Sequence, residues 1–241
     1  MPATRLMVTI MTVMDSLGAI GLYRMMAWLS PGFPVGAFSY SHGLEAAAEA
    51  GAVTDRVSLQ GWVGAIMAQG SGRVDADILR EAHRAARVDD IEALRAVNRC
   101  GLAYRATAEL ALETAAQGRA FLATCQAAWP APMLDQCAAI DDEICYPAAV
   151  GAAAACAGVP VAAALTAYLQ AMAANLMSAG LRLGIVGQTD GQRILAALEP
   201  LVLAAAATAA ARGPAEFGAV AFAVDLASMA HETQYTRLYR S

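Results

Sequence analysis

Apolar residues recur at helical spacing along most of this chain. Leu59, Trp62, Val63 and Ile66 fall at i, i+3, i+4 and i+7, which predicts a helix that Ser58 caps and Gly70 ends. Over 74–88, Ile78, Leu79 and Ala82 form an apolar stripe. Asp77, Arg80, Glu81, Arg84 and Arg87 read as its solvated face, and His83 lies among these arginines, also solvated. Further helices are predicted over 20–29, 38–50, from Asp89-Asp90 to Arg99, and over 102–128, 146–157, 160–183, 190–211 and 216–230.

Pro and Gly punctuate the pattern. PGFPVG at 31–36 cannot be regular helix, and Pro130-Ala131-Pro132 ends the long helix. Pro147 and Pro160 sit where a first-turn Pro is tolerated, whereas Pro200 should kink or split 190–211. Runs of β-branched residues are scarce. No fixed-period repeat or flexible linker is visible. The expected architecture is all-α, a single-domain bundle of about eight to ten helices over 22–241, with a variable N-terminal extension over 1–21. That extension has a short apolar run after Arg5 but no small-x-small cleavage site.

Composition supports a helical core. The chain has 241 residues and is 58% hydrophobic before its 20 glycines are counted, against about 45–50% for apolar residues plus Gly in ordinary proteins. Ala makes up much of the excess. A net charge of −5 argues against a nucleic-acid binder that relies on a basic field. All 16 basic residues are Arg. Five cysteines without a C-x-x-C read as reduced thiols in a cytoplasmic protein. Residues 144–181 carry no charge, which raises a helical membrane-embedded protein as the alternative. Gly158-Val159-Pro160 divides that stretch, much of it is Ala, and positive-inside flanks are missing, so buried core helices and no membrane are expected.

Candidate chemistry is sparse. Gly70-Ser71-Gly72 lacks the strand and the Gly-Lys-Ser/Thr of a phosphate loop, and reads as a helix–helix turn. Ser39-Tyr40-Ser41-His42-Gly43 resembles a nucleophile elbow, but Ser39 stands where Gly is required. His231-Glu232 begins like H-E-x-x-H, but Tyr235 occupies the second His position. Asp141-Asp142-Glu143 reads as a solvated helix start. No catalytic residue, cofactor or closed metal site is assigned; a transient metal contact at His42 or His231 is the most that the residues suggest. Two segments are richer in aromatics than turns or tails require: Phe33, Phe38 and Tyr40 within 30–45, and Tyr235, Leu238 and Tyr239 between Arg237 and Arg240.

At these residues the chain resembles a family. SPGFPVGAFSYSHGLEAAAEAG at 30–51, GQTDGQRILAAL at 187–198 and SMAHETQYTRLYRS at 228–241 resemble the motifs of the UreF-type urease accessory proteins. Tyr146-Pro147 before a Gly- and Ala-rich helix also fits, and the resemblance covers about 22–241 in order and spacing. It implies an all-α, cytoplasmic, homodimeric protein without enzyme activity. Such a protein binds the accessory protein UreD (UreH in some organisms), recruits the GTPase UreG and docks on apo-urease, so that nickel reaches a centre where a carbamylated lysine bridges two nickel ions.

By the same resemblance, partner-binding residues are Pro34, Gly36, Phe38, Tyr40, Ser41, Gly43 and Glu45 in the first motif, and Gln188, Asp190 and Gln192 in the second. In the third they are His231, Glu232, Gln234, Tyr235, Arg237, Leu238, Arg240 and Ser241. The terminal segment, too short to fold alone, is expected to be mobile or loosely docked until it orders on the UreD-type partner.

Overall fold

The computed structural model describes residues 17–213 and 216–241. Among these residues there are eleven α-helices and no strand, in line with the all-α expectation. In chain order they are α1 (Ala19–Trp28), α2 (Leu44–Glu49), α3 (Arg56–Ala68), α4 (Ser71–Arg87), α5 (Ile91–Ala103) and α6 (Ala108–Ala128). There follow α7 (Pro132–Ala139), α8 (Tyr146–Cys156), α9 (Val161–Arg182), α10 (Gln188–Ala211) and α11 (Phe222–His231), and a 3-10 turn, Ala37–Ser39, lies between α1 and α2. The proposed extension at 1–21 falls mostly outside the described residues, although α1 begins within it.

The fold is built around α4 and α8. Every residue of α8 from Pro147 to Ala154 is buried. Its small side chains let α4 approach so closely that a Cβ at Gly151 would meet the Leu79 carbonyl oxygen at 2.4 Å. Helices α3, α5, α9 and α10 enclose the other sides of α4, and α6 closes over α8. An aromatic cluster of Trp28, Phe33, Phe121, Trp129 and Tyr146 ties α1 and the first loop to α6 and α8.

This position of α4 corrects the reading of its polar face. Asp77, Arg80, Glu81 and His83 are buried, not solvated; of the residues assigned to that face, Arg84 and Arg87 are exposed. Partners within α4 and others distant in sequence together make the burial possible. Asp77 pairs with Arg80 at 3.2 Å and with Arg212 at 2.5 Å, Glu81 takes Arg80 at 3.0 Å and Arg84 at 2.9 Å, and His83 Nε2 lies 2.8 Å from the Val159 carbonyl oxygen.

Other boundaries differ for local reasons. The 38–50 helix is replaced by the 3-10 turn and the short α2, because Gly36, His42 and Gly43 take φ of +73°, +52° and +72°, which interrupts a right-handed helix. Asp55, not Ser58, caps α3; Ser58 is the third helical residue and the two form a capping box. The 102–128 helix starts later, at Ala108, where Thr107 Oγ1 accepts from Leu110 N. Helix α7, with Pro132 in its first turn, was not anticipated. Helix α10 runs unbroken through Pro200: both Pro200 and Ala196, whose carbonyl loses its helical donor, face solvent, so water can replace the bond. The last helix spans Phe222–His231 rather than 216–230.

Helices α9 and α10 are long and apolar enough to cross a membrane by length and composition. They pack on each other and on α3 and α4. All five cysteines are free thiols. Burial pushes the Cys125 and Cys137 thiols up to about 12, which keeps them protonated and unreactive.

Candidate functional site

The first and third motifs form one unit. Glu45, buried on α2, receives the backbone N–H of Leu238 at 2.8 Å on Oε1 and that of Tyr239 at 3.0 Å on Oε2. Its Oε2 also lies 3.1 Å from His231 Nε2. Tyr239 turns inward, stacks beneath the Arg182 guanidinium at 4.8 Å and donates its hydroxyl to the Ala179 carbonyl at 3.3 Å. Arg240 N donates to Ser39 O at 2.8 Å. Ser41 donates its N–H to the Ser241 main-chain oxygen at 2.7 Å and its hydroxyl to the same atom. A Cβ at Gly43 would meet Ser228 N at 2.6 Å, so glycine lets α11 seat against the first motif.

The tail is therefore packed on its own domain, which corrects the expectation of a mobile or loosely docked segment. A short segment need not fold alone when buried carboxylates of another element accept its backbone donors. Helix α6 supplies two of the carboxylates that hold it. Glu109 Oε2 lies 2.7 Å from His231 Nδ1 and its Oε1 takes Arg237 Nη1 at 2.7 Å. Glu113 Oε2 accepts from Ser241 Oγ at 3.0 Å, while its Oε1 takes Gln117 Nε2 at 2.8 Å and pairs with His42 Nε2 at 3.0 Å. Burial alone would lower the His42 pKa, but the Glu113 charge and hydrogen bond outweigh it and hold the ring above its ordinary range.

The first and second motifs flank a cleft of about 820 Å³. Pro34, Gly36 and Phe38 line it on one side, Gln188 and Gln192 at the start of α10 on another. Asn175 and Arg182 of α9 fix that rim by donating to the carbonyls of Ala37 and Phe38. Deeper, the lining is polar: His42, Glu113 and Gln117 form one group, and Asp75, salt-bridged to Arg105 at 2.7 Å and accepting from Tyr168 Oη at 2.7 Å, forms another.

The residues singled out by sequence divide by exposure. Tyr40, Ser41, Gly43, Glu45, His231 and Ser241 are buried, and Gly36, Asp190 and Gln234 are half-buried. Pro34, Phe38, Gln188, Gln192, Glu232, Tyr235, Arg237, Leu238 and Arg240 face solvent, with Phe38 67% and Leu238 74% exposed. Asp190 pairs with Arg193 at 2.9 Å, and Glu232 accepts from Ala108 N at 2.9 Å. Ser41 is committed to the tail, and the Asp141–Glu143 turn pairs with Arg99 and Arg119. Among the described residues no group of three or more His, Cys, Asp or Glu side chains is placed to hold a metal ion.

Sequence reasoning missed Glu109, Glu113 and Gln117. Their signal was present: they recur at i, i+4 and i+8, a polar row along an otherwise Ala-rich helix without basic partners of its own.

A family model described as UreF matches residues 53–199. The chain is 49% identical over 220 residues to the urease accessory protein UreF of Bradyrhizobium sp. (strain ORS 278), covering 91% of this chain and 92% of that protein. It is 50% identical over 224 residues to the protein of the same name from Rhodopseudomonas palustris (strain BisB5), covering 91% of each. Against that of Azorhizobium caulinodans it is 48% identical over 232 residues, covering 96% of this chain and all of that protein. On the match to the family model and on these relatives, the chain belongs to the UreF family of urease accessory proteins.

Proposed function

We propose that this chain acts in urease maturation as a non-catalytic scaffold with two faces. One face is the tail with its outward side chains, which takes the UreD/UreH-type accessory protein. The other is the rim of the cleft around Phe38, with Gln188 and Gln192, which takes the UreG-type GTPase. The assembly docks on apo-urease, and nickel is its cargo. A cytoplasmic location and a homodimer belong to the same reading. The uncovered apolar length of α10, with Leu203 48% exposed, offers area for a second copy.

One observation carries the reading: buried residues of the motifs fix the backbone while large side chains of the same motifs point outward. Glu45, Ser41 and Tyr239 fasten the tail, and Tyr235 and Leu238 stand free beside them. A core would bury the second set, and a frayed tail would not be fastened by the first. Large rigid aromatics on a fixed backbone supply contact area at low entropic cost.

Phe38→Ala tests the cleft face. Its ring is exposed, so the melting temperature should stay within about 1–2 °C of wild type, the shift expected of a surface change of up to about 0.5 kcal/mol in a chain of this size. Affinity for the GTPase should fall about thirtyfold, roughly 2 kcal/mol, by titration calorimetry with the nucleotide-loaded partner. A stability loss with unchanged affinity would assign Phe38 to the fold instead.

A further inference from the structure

One histidine in the tail's fastening has a carboxylate on each ring nitrogen. His231, fully buried at the end of α11, has Nδ1 2.7 Å from Glu109 Oε2 and Nε2 3.1 Å from Glu45 Oε2. An ionised carboxylate has no hydrogen to give, so each contact is a hydrogen bond only when the ring supplies the proton. A neutral imidazole carries one N–H and an imidazolium carries two. With both carboxylates ionised, a neutral ring can make one of these bonds and the imidazolium can make both. We propose that His231 makes the docking of residues 237–241 on their own domain a proton-dependent latch, closed while the ring carries both protons and loosened as rising pH removes one.

The charges facing the ring come from three elements. Glu45 stands on α2, Glu109 on α6 and Arg237 on the tail, and Arg237 is bound to the far oxygen of Glu109. Glu232, next in the chain, is engaged with Ala108 N at the start of α6. Helix α3, which also touches α11, has Arg56 as its sole charged side chain, and that charge acts on Asp55. With the ring protonated, His231 and Arg237 balance the two glutamates. Loss of either ring proton leaves one negative charge in excess at a buried place and sets a lone pair against a carboxylate oxygen.

Both outcomes reach the tail. If Glu45 is pushed away, the amides of Leu238 and Tyr239 lose their acceptor. If Glu109 is pushed away, Arg237 loses its partner. The sign is fixed by the geometry: the hold is complete at low pH and weakens as pH rises through the ring's titration. The latch is a property of the chain alone, whichever protein takes the tail.

Amide hydrogen exchange on the full chain from about pH 5.5 to about pH 8.5, expressed as protection factors, reads the latch at Leu238 and Tyr239. Protection should fall with pH, by up to about tenfold per pH unit through the transition, the limit for one linked proton. The ¹⁵N shifts of the His231 ring report its protonation directly, and protection should fall together with the change from a doubly to a singly protonated ring. In Glu109→Gln the amide can donate to a neutral Nδ1, so protection should stay nearly level with pH. That variant leaves the other buried imidazole near the tail, His42 on Glu113, untouched, and so separates the two. A level wild-type profile, a ring that titrates without loss of tail protection, or a Glu109→Gln profile as steep as wild type would each overturn the latch.

Discussion

Glu45→Ala should lower the melting temperature by roughly 10 °C. The carboxylate is buried and serves three donors at once: His231 Nε2, Leu238 N and Tyr239 N. Alanine leaves all three without an acceptor. Each buried donor left without its acceptor costs about 1–3 kcal/mol, so roughly 3–5 kcal/mol in all is expected, and in a chain of this size each kcal/mol shifts melting by about 2–4 °C. The tail should detach with it, because no other group accepts from those two amides. Calorimetric melting and proteolytic sensitivity of residues 237–241 check both parts. An unchanged melt would mean that the tail contributes nothing to the domain. Glu45→Gln should fall between the two, since it keeps one acceptor oxygen for a tail amide and replaces the other with an amide nitrogen that can only donate.

Gly118→Ala should be nearly as damaging, by a different route. A Cβ there would lie 2.0 Å from the Ile144 carbonyl oxygen and 2.9 Å from the carbonyl carbons of Ile144 and Cys145. These are backbone atoms, so no side chain can swing aside. The loop entering α8 is itself pinned, by Cys145 N donating to Asn98 Oδ1 at 2.8 Å and Tyr146 N to Thr114 Oγ1 at 3.2 Å. Helix α6 must then move away from α8, with loss of packing around Phe121 and Tyr146. Overpacking typically costs about 1–3 kcal/mol and more where the backbone cannot yield, so a melt lowered by roughly 5–10 °C is expected. A control, Gly51→Ala, adds its methyl group in open space and meets only the strain of a positive φ. Equal losses in the two variants would contradict the close α6–α8 approach.

Much of this fold could be read in the sequence, because α3, α8, α9 and α10 announce themselves by apolar spacing and by Pro and Gly at their ends. What could not be read were partnerships made at long range. The charged face of α4 looks solvated until Arg105, Arg212, Tyr168 and the Val159 carbonyl arrive from distant elements to satisfy it. The break between α5 and α6 contains no Gly or Pro, and Thr107 as a cap was its one local sign.

The candidate site divides in the same way. Two of its three motifs were visible as aromatic-rich segments, and resemblance supplied the names of all three. The segregation of Tyr239 inward and Tyr235 outward was not visible, because a chain without regular structure has no period to reveal a face. Nor was the role of α6, whose Glu109 and Glu113 fasten the tail from a helix outside all three motifs.

The central claim is that the tail is a fastened part of the domain that offers its outward side chains to a partner. The double variant Tyr235→Ala/Leu238→Ala tests it most directly, since both side chains are exposed and neither fastens the backbone through its own atoms. Affinity for the proposed UreD/UreH-type partner, measured by calorimetry beside the thermal melt, should fall by at least about thirtyfold, roughly 2 kcal/mol, while melting stays within about 1–2 °C of wild type. Undiminished affinity, or a lost fold in place of lost affinity, would contradict it.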